Sequence, residues 1–252
     1  MQWSRSLQIG SRRIALDAPS YFIADIASSH DGDLERAKSL IWRAKEAGAD
    51  CAKFQHFLAK DIVSDFGFRS LGAQSAHQAG WKKSVYDVFE QYETPRDWTD
   101  ALATECVNAQ IDFMTTPYDF AAVDLMTPMM KAFKIGSGDV TWTDFIAYVA
   151  AKRKPVSLAV GASDMAETER AVDNLLRRTD SQRGLGHELL QRRAVTVHGR
   201  NIEVGAELTH RLLRILREVE LAAEADDGVL GAAVTVVGEA LPVQVDHALR
   251  VR

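Results

Sequence analysis

Two lysines within short apolar runs are the residues of this 252-residue chain whose type and spacing most directly suggest chemistry. Lys53 lies within residues 49–55, and Lys134 lies within a run that ends in Gly136-Ser137-Gly138-Asp139. A glycine-serine turn after a strand is common by itself. An unpaired buried lysine is costly, however, so two lysines in strands of the same design predict a shared anionic ligand. Glycines would let the backbone approach that ligand.

Composition and charge limit the classes of protein to consider. A hydrophobic share of 46% and a charged share of 26% are typical of a soluble globular protein. The net charge of −5 disfavours a nucleic-acid-binding surface. Cys51 and Cys106 lack the spacing of a metal site or a disulfide framework, so we expect buried thiols in a cytoplasmic protein. No apolar run has the length of a membrane span or signal peptide, and we expect no membrane partner.

The elements that must position the two lysines alternate between strand and helix. A hairpin over residues 1–20 precedes five strands, predicted at 21–26, 51–57, 111–115, 131–136 and 155–160. Helices are predicted at 34–47, from a cap at Thr94, at 119–126, at 145–151 and at 165–178. Residues 58–93 show no clean period, and we expect a partly ordered lid there.

This alternation predicts an α/β fold with a parallel sheet. The absence of a glycine-rich dinucleotide turn favours a TIM-type (β/α) barrel over a Rossmann fold. In such a barrel the site lies at the carboxyl ends of the strands. The polar residues predicted at those ends are Asp25, His30, Lys53, Gln55, Thr116, Lys134, Ser137, Asp139 and Gly161.

The composition changes after Asp180. Residues 181–252 contain no Phe, Trp, Tyr or Lys. Strand-like runs are predicted at 194–198, 201–204, 229–237 and 243–251, with an amphipathic helix at 206–225. These elements do not fit further βα units, so we expect a barrel segment over 1–180, incomplete after the fifth or sixth unit, and a divergent tail over 181–252.

Several motifs occur in an order that resembles the sialic acid synthase (N-acetylneuraminate synthase) family over residues 7–180, the N-terminal catalytic part. The motifs are Ile23-Ala24-Asp25-Ile26, His30-Asp31-Gly32-Asp33, Ala47-Gly48-Ala49-Asp50, Lys53-Phe54-Gln55, Thr116-Pro117-Tyr118-Asp119, Lys134-Ile135-Gly136-Ser137-Gly138-Asp139, Lys154-Pro155-Val156 and Gly161-Ala162-Ser163.

The resemblance implies a transferase that condenses phosphoenolpyruvate with an N-acetylmannosamine-type sugar and releases phosphate. The exact sugar stays open, since a di-N-acetylated sugar is equally compatible. The resemblance also implies a divalent metal, Mn²⁺ or Mg²⁺, and a homodimer completed in most members by an antifreeze-like domain. The tail contains no match to that domain.

The resemblance also implies roles for individual residues. Asp139 and Asp25 occupy positions of catalytic carboxylates, although both are often Glu in the family. The implied substrate-binding residues are Lys53, Gln55, Thr116, Lys134, Ser137 and Gly161.

The sequence departs from the family at Ser29, where Asn is usual, and at Val160, where Thr is usual. The motifs of the two metal-binding histidines are absent, so no ligand carries over, and His30 is expected to orient its turn. Three interpretations stay open: a working synthase, a truncated or frame-shifted product with little activity, and an anion-binding module without turnover. The second is favoured for the chain as it stands.

Overall fold

The computed structural model describes residues 6–15, 18–70 and 81–180, together with the backbone of three later strands. The strands are β1 (Ser6–Ile9), β2 (Arg12–Ala15), β3 (Tyr21–Ala27), β4 (Cys51–His56), β5 (Asp112–Pro117), β6 (Phe133–Ile135), β7 (Val156–Ala159), β8 (Val195–His198), β9 (Ala233–Val237) and β10 (Val243–Val245). The helices are α1 (Leu34–Glu46), α2 (Ala59–Ile62), α3 (Asp65–Ser70), α4 (Val85–Gln91), α5 (Thr99–Asn108), α6 (Phe120–Met126), α7 (Thr143–Ala151) and α8 (Met165–Asp180).

The five predicted strands are parallel, as their alternation with helices requires. β3, β4 and β5 form one parallel group, and β6 and β7 form another, with β5 and β6 side by side. From the sequence alone, the tail does not fit a further βα unit. In the structure, however, β8 adds a sixth parallel strand next to β7. The hairpin of β1 and β2 is confirmed.

The other edge of β3 pairs with β9, and this pairing is antiparallel. β10 then pairs antiparallel with β9. A closed TIM barrel would place a parallel strand on that edge. The described strands therefore form an α/β structure with six parallel strands, but not a closed parallel barrel. The tail segments predicted at 201–204 and 206–225 lie outside the described residues.

Two apolar clusters occupy the two faces of the parallel strands. The larger, which we call the outer cluster, lies between the strands and helices and includes Phe54 and Phe133. The smaller, the inner cluster, joins the hairpin to the inner face of the strands; its members are Leu7, Ile9, Ile14, Tyr21, Ile23, Cys51, Met114 and Ala132. The hairpin thereby covers the amino-terminal end of the inner face.

The hairpin turn is shaped by a close approach. Gly10 has φ +56, a left-handed conformation that glycine adopts without strain. A Cβ at Gly10 would lie 2.5 Å from Cδ of Lys131, whose ammonium pairs with Asp112. The lysine stem therefore crosses the turn and holds the hairpin against the start of β6.

Helix α1 shows how the sequence sets the bounds of an element. Asp33 caps its start, because Oδ1 accepts hydrogen bonds from the N–H groups of Glu35 (2.8 Å) and Arg36 (3.1 Å). Such a cap contributes about 1 kcal/mol. Gly48, with φ +90, ends the helix as predicted. The buried stripe also agrees with the prediction and consists of Ala37, Leu40, Ile41 and Ala44.

The segment predicted as a lid contains the short helices α2, α3 and α4; residues 71–80 lie outside the described ranges. Phe89 of α4 contacts Phe57 at 5.7 Å between ring centroids, which ties this segment to the end of β4. None of the helices in the described ranges combines the length and apolarity needed to cross a bilayer.

Candidate active site

Alternation along the strands places both lysines on the inner face. Phe54 on β4 and Phe133 on β6 belong to the outer cluster. Because successive side chains of a strand point to opposite faces, Lys53 and Lys134 point inward. Both are buried, with 2% and 6% of their surface exposed. Two ammonium groups therefore share one face, as a common anionic ligand would require.

Asp25 pairs with the first of these lysines. It is the register partner of Lys53 on the neighbouring strand, and Nζ of Lys53 lies 2.6 Å from Oδ1 of Asp25. The ladder shifts by one residue directly afterwards, and Ala27 has φ +51, which residues with a Cβ rarely adopt. Bulges redirect side chains next to active sites. Here the bulge ends regular pairing just beyond the ion pair.

Gln55 and Thr116 lie one pleat nearer the carboxyl ends of β4 and β5. They are register partners of each other. Because Gln55 is two residues beyond Lys53, both partners belong to the inner face. Thr116 is buried and Gln55 is partly exposed. An amide and a hydroxyl therefore lie beyond the Lys53–Asp25 pair, on the side where the strands open.

Ser137–Asp139 forms a single 3₁₀ turn directly after β6. Oδ2 of Asp139 is buried and has no hydrogen-bond partner among the residues that the structure describes. Burial raises the pKa of Asp139 to about 6. A carboxyl group with this pKa gains and loses a proton near neutral pH, which general acid–base chemistry requires.

Gly161 is a predicted site residue, but the space beside its Cα is open. It follows β7 and is exposed, and a Cβ built on it would meet no atom within 4 Å. The structure therefore places Gly161 beyond the carboxyl end of a strand, but brings no other predicted site residue against it.

His30 orients the turn after β3, as predicted. Its Nδ1 accepts the N–H of Gly32 at 3.1 Å, so the proton is on Nε2, which lies 3.0 Å from the Thr94 hydroxyl. Burial, and then the charge of Arg36, lower the pKa of His30 to about 4. The imidazole is neutral at pH 7, and its two nitrogens hold the turn in place.

Thr94 does not cap a helix, and that prediction was wrong. Its hydroxyl donates a hydrogen bond to the carbonyl of Gln55 at 2.8 Å and accepts one from Nε2–H of His30. The following 3₁₀ turn, Arg96–Trp98, has no side-chain cap. The hydroxyl was misassigned because a buried acceptor on β4, distant in sequence, competes for it. The result is a relay from His30 through Thr94 to the backbone of β4.

His56 is a second buried, neutral histidine. Its Nδ1 lies 2.8 Å from the Thr115 hydroxyl, and its Nε2 lies 3.3 Å from the Thr99 hydroxyl. Burial, and then the charge of Arg96, lower the pKa of His56 to about 3. Because Gln55 faces inward, His56 faces outward, and its side chain is part of the buried packing on the outer face of β4.

The described residues do not fit the divalent metal that the resemblance implies. Both imidazoles with described side chains, His30 and His56, already use both ring nitrogens. Within residues 6–15, 18–70 and 81–175, no group of three or more His, Cys, Asp or Glu side chains is arranged to hold a metal ion. No chemical step is therefore assigned to a metal in this part of the chain.

Tyr118 is a site residue to which the sequence assigns no role. A Cβ built on Gly136 would lie 3.8 Å from the Tyr118 hydroxyl and 3.3 Å from Oδ2 of Asp139. Burial, and then the charges of Asp139 and Asp25, raise the pKa of Tyr118. Its position in Thr116-Pro117-Tyr118-Asp119, two residues after an inward-facing threonine, is the signal that could have identified it.

Known proteins resemble this chain over the same region. The model of the NeuB family matches residues 40–191. The N,N'-diacetyllegionaminic acid synthase of Legionella pneumophila is 29% identical over 156 residues, which cover 62% of this chain and 43% of that protein. The N-acetylneuraminate-9-phosphate synthase of Drosophila melanogaster is 30% identical, with 62% and 41% covered.

A solved structure resembles the fold as well. The spore coat polysaccharide biosynthesis protein SpsE of Bacillus subtilis superimposes with a TM-score of 0.57 at 25% identity, covering 79% of this chain and 49% of that one. The chain spans less than half the length of the curated relatives it matches. Because the family match includes more than half of its residues, the chain belongs to the NeuB family, whose relatives include sialic acid synthases.

Proposed function

We propose that this chain supplies the phosphoenolpyruvate-binding part of a nonulosonic acid synthase, which condenses phosphoenolpyruvate with an N-acetylated amino sugar and releases phosphate. One observation carries the proposal: Lys53 on β4 and Lys134 on β6 are buried on the same inner face, with β5 between their two strands. The names of the relatives support the reaction class, since they are synthases of sialic and legionaminic acids.

The ligand chemistry matches the charges of the site. Phosphoenolpyruvate carries a carboxylate and a phosphate on three carbons, and two ammonium groups can neutralise both ends. The Thr116 and Ser137 hydroxyls lie at the carboxyl ends of their strands and can donate to the remaining oxygens. Donors that are already in place need no reorganisation when negative charge moves during the reaction.

The reaction makes one carbon–carbon bond at C3 and exchanges one carbon–oxygen bond for another at C2. C3 of phosphoenolpyruvate attacks the sugar aldehyde, whose oxygen takes a proton and becomes a hydroxyl. Water adds at C2 and loses a proton, and phosphate leaves from that carbon. Asp139, with a pKa of about 6, is the group proposed to transfer a proton at C2. Asp25, paired with Lys53, holds that ammonium toward the ligand.

A second candidate function is anion binding without turnover. It is favoured by the lack of a metal-ligand set in the part of the chain that the structure describes. It would use the same lysines, so the two functions differ in whether phosphate is released.

Two measurements on the full chain separate these functions. Calorimetry measures phosphoenolpyruvate binding, and a phosphate assay with added Mn²⁺ and N-acetylmannosamine, or a di-N-acetylated sugar, measures turnover. Lys53→Ala is the site variant and Lys152→Ala, at the residue directly after the outer helix α7, is the control. Binding with phosphate release supports the synthase, and binding alone supports the anion-binding module. No binding above that of Lys53→Ala overturns both.

A further inference from the structure

Tyr118 extends the inner face beyond the end of β5. Its N–H donates to the carbonyl of His56 at 3.2 Å, which continues the pairing of β5 with β4. Because Thr116 lies on the inner face, Tyr118 two residues later lies on the same face. Its ring packs edge-on against Phe57, with 5.9 Å between centroids and 89° between planes. The backbone and this aromatic contact fix where the hydroxyl lies.

The Tyr118 hydroxyl and the Asp139 carboxyl group both lie next to Gly136, whose lack of a side chain leaves space beside them. Gly136 is two residues beyond Lys134, on the same strand face. A Cβ there would lie 3.3 Å from Oδ2 of Asp139 and 3.8 Å from the Tyr118 hydroxyl. Gly136 has φ −67, so its backbone does not require glycine. The missing side chain instead keeps a carboxyl and a phenol open to the same small space.

Neither group in this space is satisfied by the protein. Oδ2 of Asp139 is buried without a hydrogen-bond partner, and the Tyr118 hydroxyl makes no hydrogen bond to any residue in the described ranges. Burial and the nearby carboxylates raise the pKa of Tyr118, so its hydroxyl keeps its proton and can donate it. A protonated phenol on the face that also carries the two lysines is suited to an anionic oxygen.

We propose that Tyr118 is a further ligand-binding residue, which donates its phenolic hydrogen to an anionic oxygen of the ligand held by Lys53 and Lys134, next to Asp139. This inference rests on the proposed function, because the ligand is phosphoenolpyruvate. The oxygen belongs to its carboxylate or its phosphate. Gly136 then serves as the residue that keeps this contact open.

The test uses Tyr118→Phe, which removes only the hydroxyl. Tyr148→Phe is a matched control, since the Tyr148 hydroxyl is bonded to Asp124 on the outer helices, 2.7 Å from Oδ2. Calorimetry would measure binding of phosphoenolpyruvate, inorganic phosphate and pyruvate. A hydrogen bond to a charged group is worth enough that Tyr118→Phe should weaken phosphoenolpyruvate binding roughly 10-fold or more. A loss for phosphate but not pyruvate assigns the contact to the phosphate, and the reverse assigns it to the carboxylate.

Gly136→Ala gives a second, independent variant. Its methyl group would enter the space next to Asp139, so it should also weaken binding while preserving the folded state, as checked by thermal unfolding. If both variants bind phosphoenolpyruvate within twofold of the wild type while Lys53→Ala does not bind it, the Tyr118 inference is wrong and the proposed function stands. If the wild type does not bind phosphoenolpyruvate, both fail.

Discussion

The Lys53 ammonium lies 2.6 Å from the Asp25 carboxylate, although the two residues are 28 positions apart along the chain. The pair joins the first two parallel strands at the point where regular pairing ends. It is almost completely buried, with the lysine side chain 3% exposed and the aspartate side chain 16% exposed. Each member of a buried pair depends on the other, because a single buried charge is costly.

Asp25→Asn should therefore destabilise the protein strongly. The substitution leaves the Lys53 ammonium buried without a countercharge, and we expect a loss of about 3 kcal/mol in the free energy of unfolding. Urea unfolding at pH 7 measures this change. Adding Lys53→Met to Asp25→Asn should restore part of the loss, because both charges are then removed.

Glu35→Gln provides the control for this pair. Glu35 binds Lys38 at 2.6 Å on the exposed side of α1, and such surface pairs contribute less than about 1 kcal/mol. An Asp25→Asn variant no less stable than Glu35→Gln would show that the buried pair does not stabilise the fold.

Lys134→Met should weaken phosphoenolpyruvate binding without changing the shape of the site much, since methionine keeps the unbranched stem. Truncating one partner of a buried charge contact costs about 2–5 kcal/mol, or roughly 30-fold to several thousand-fold in affinity. Calorimetry measures the change, and Lys152→Met, directly after α7, is the control. Equal affinity in the two variants would make Lys134 a structural residue.

His30 should make the protein less stable at acidic pH. Its pKa is about 4 in the folded protein and about 6.5 when unfolded, so only the unfolded chain takes up a proton between those values. Stability should fall by about 3 kcal/mol from this residue as pH drops from 6.5 to 4. His30→Gln should flatten that decline, measured by urea unfolding at several pH values. An unchanged slope would contradict the assignment of a buried neutral imidazole.

Asp139 should make the protein less stable as pH rises, which is the opposite of the effect of His30. Its pKa is raised from 3.8 to about 6 by burial. At pH 3, below both values, the carboxyl group is mostly neutral in the folded and the unfolded states and has little effect on stability. As pH rises through 6 the folded protein must carry the charge, and stability is lost. Asp139→Asn should therefore be more stable than the wild type at pH 8 but not at pH 3. We expect a difference of about 1 kcal/mol, because solvent screens this partly exposed group.

Asp124→Asn provides a control of opposite sign. Hydrogen bonds from Lys152 and Tyr148 lower the pKa of Asp124, so its charged form favours the folded state. The substitution should lower stability at pH 8 more than at pH 3, because the charged form is lost only as pH falls below 3.8. If Asp139→Asn behaves like Asp124→Asn, the Asp139 carboxyl is not held in a desolvated environment.

The local pattern of apolar and polar residues was enough to predict the parallel strands and the shared face of the two lysines. Lys53 and Lys134 each lie between apolar neighbours, and strand alternation then decides which way they point. The same reasoning predicted the buried stripe of α1 and the left-handed glycine at its end. These features depend on residues close together in sequence.

Features that depend on distant partners were not predicted. The hydroxyl of Thr94 has the local context of a helix cap, but bonds to Gln55 and His30 instead. Nothing in residues 233–237 indicates antiparallel pairing with β3. The convergence of Tyr118 and Asp139 on Gly136 likewise requires two turns from different strands. In each case a tertiary contact, rather than a local preference, decides the outcome.

The hairpin covers the amino-terminal end of the inner face, and this affects how ligands would enter the proposed site. Apolar residues of the inner cluster fill that end. Among the described residues, the carboxyl-terminal end of the strands is then the side from which a ligand would approach the two lysines, and a second ligand entering there would cover the first. Under the proposed function, we therefore expect phosphoenolpyruvate to bind before the sugar.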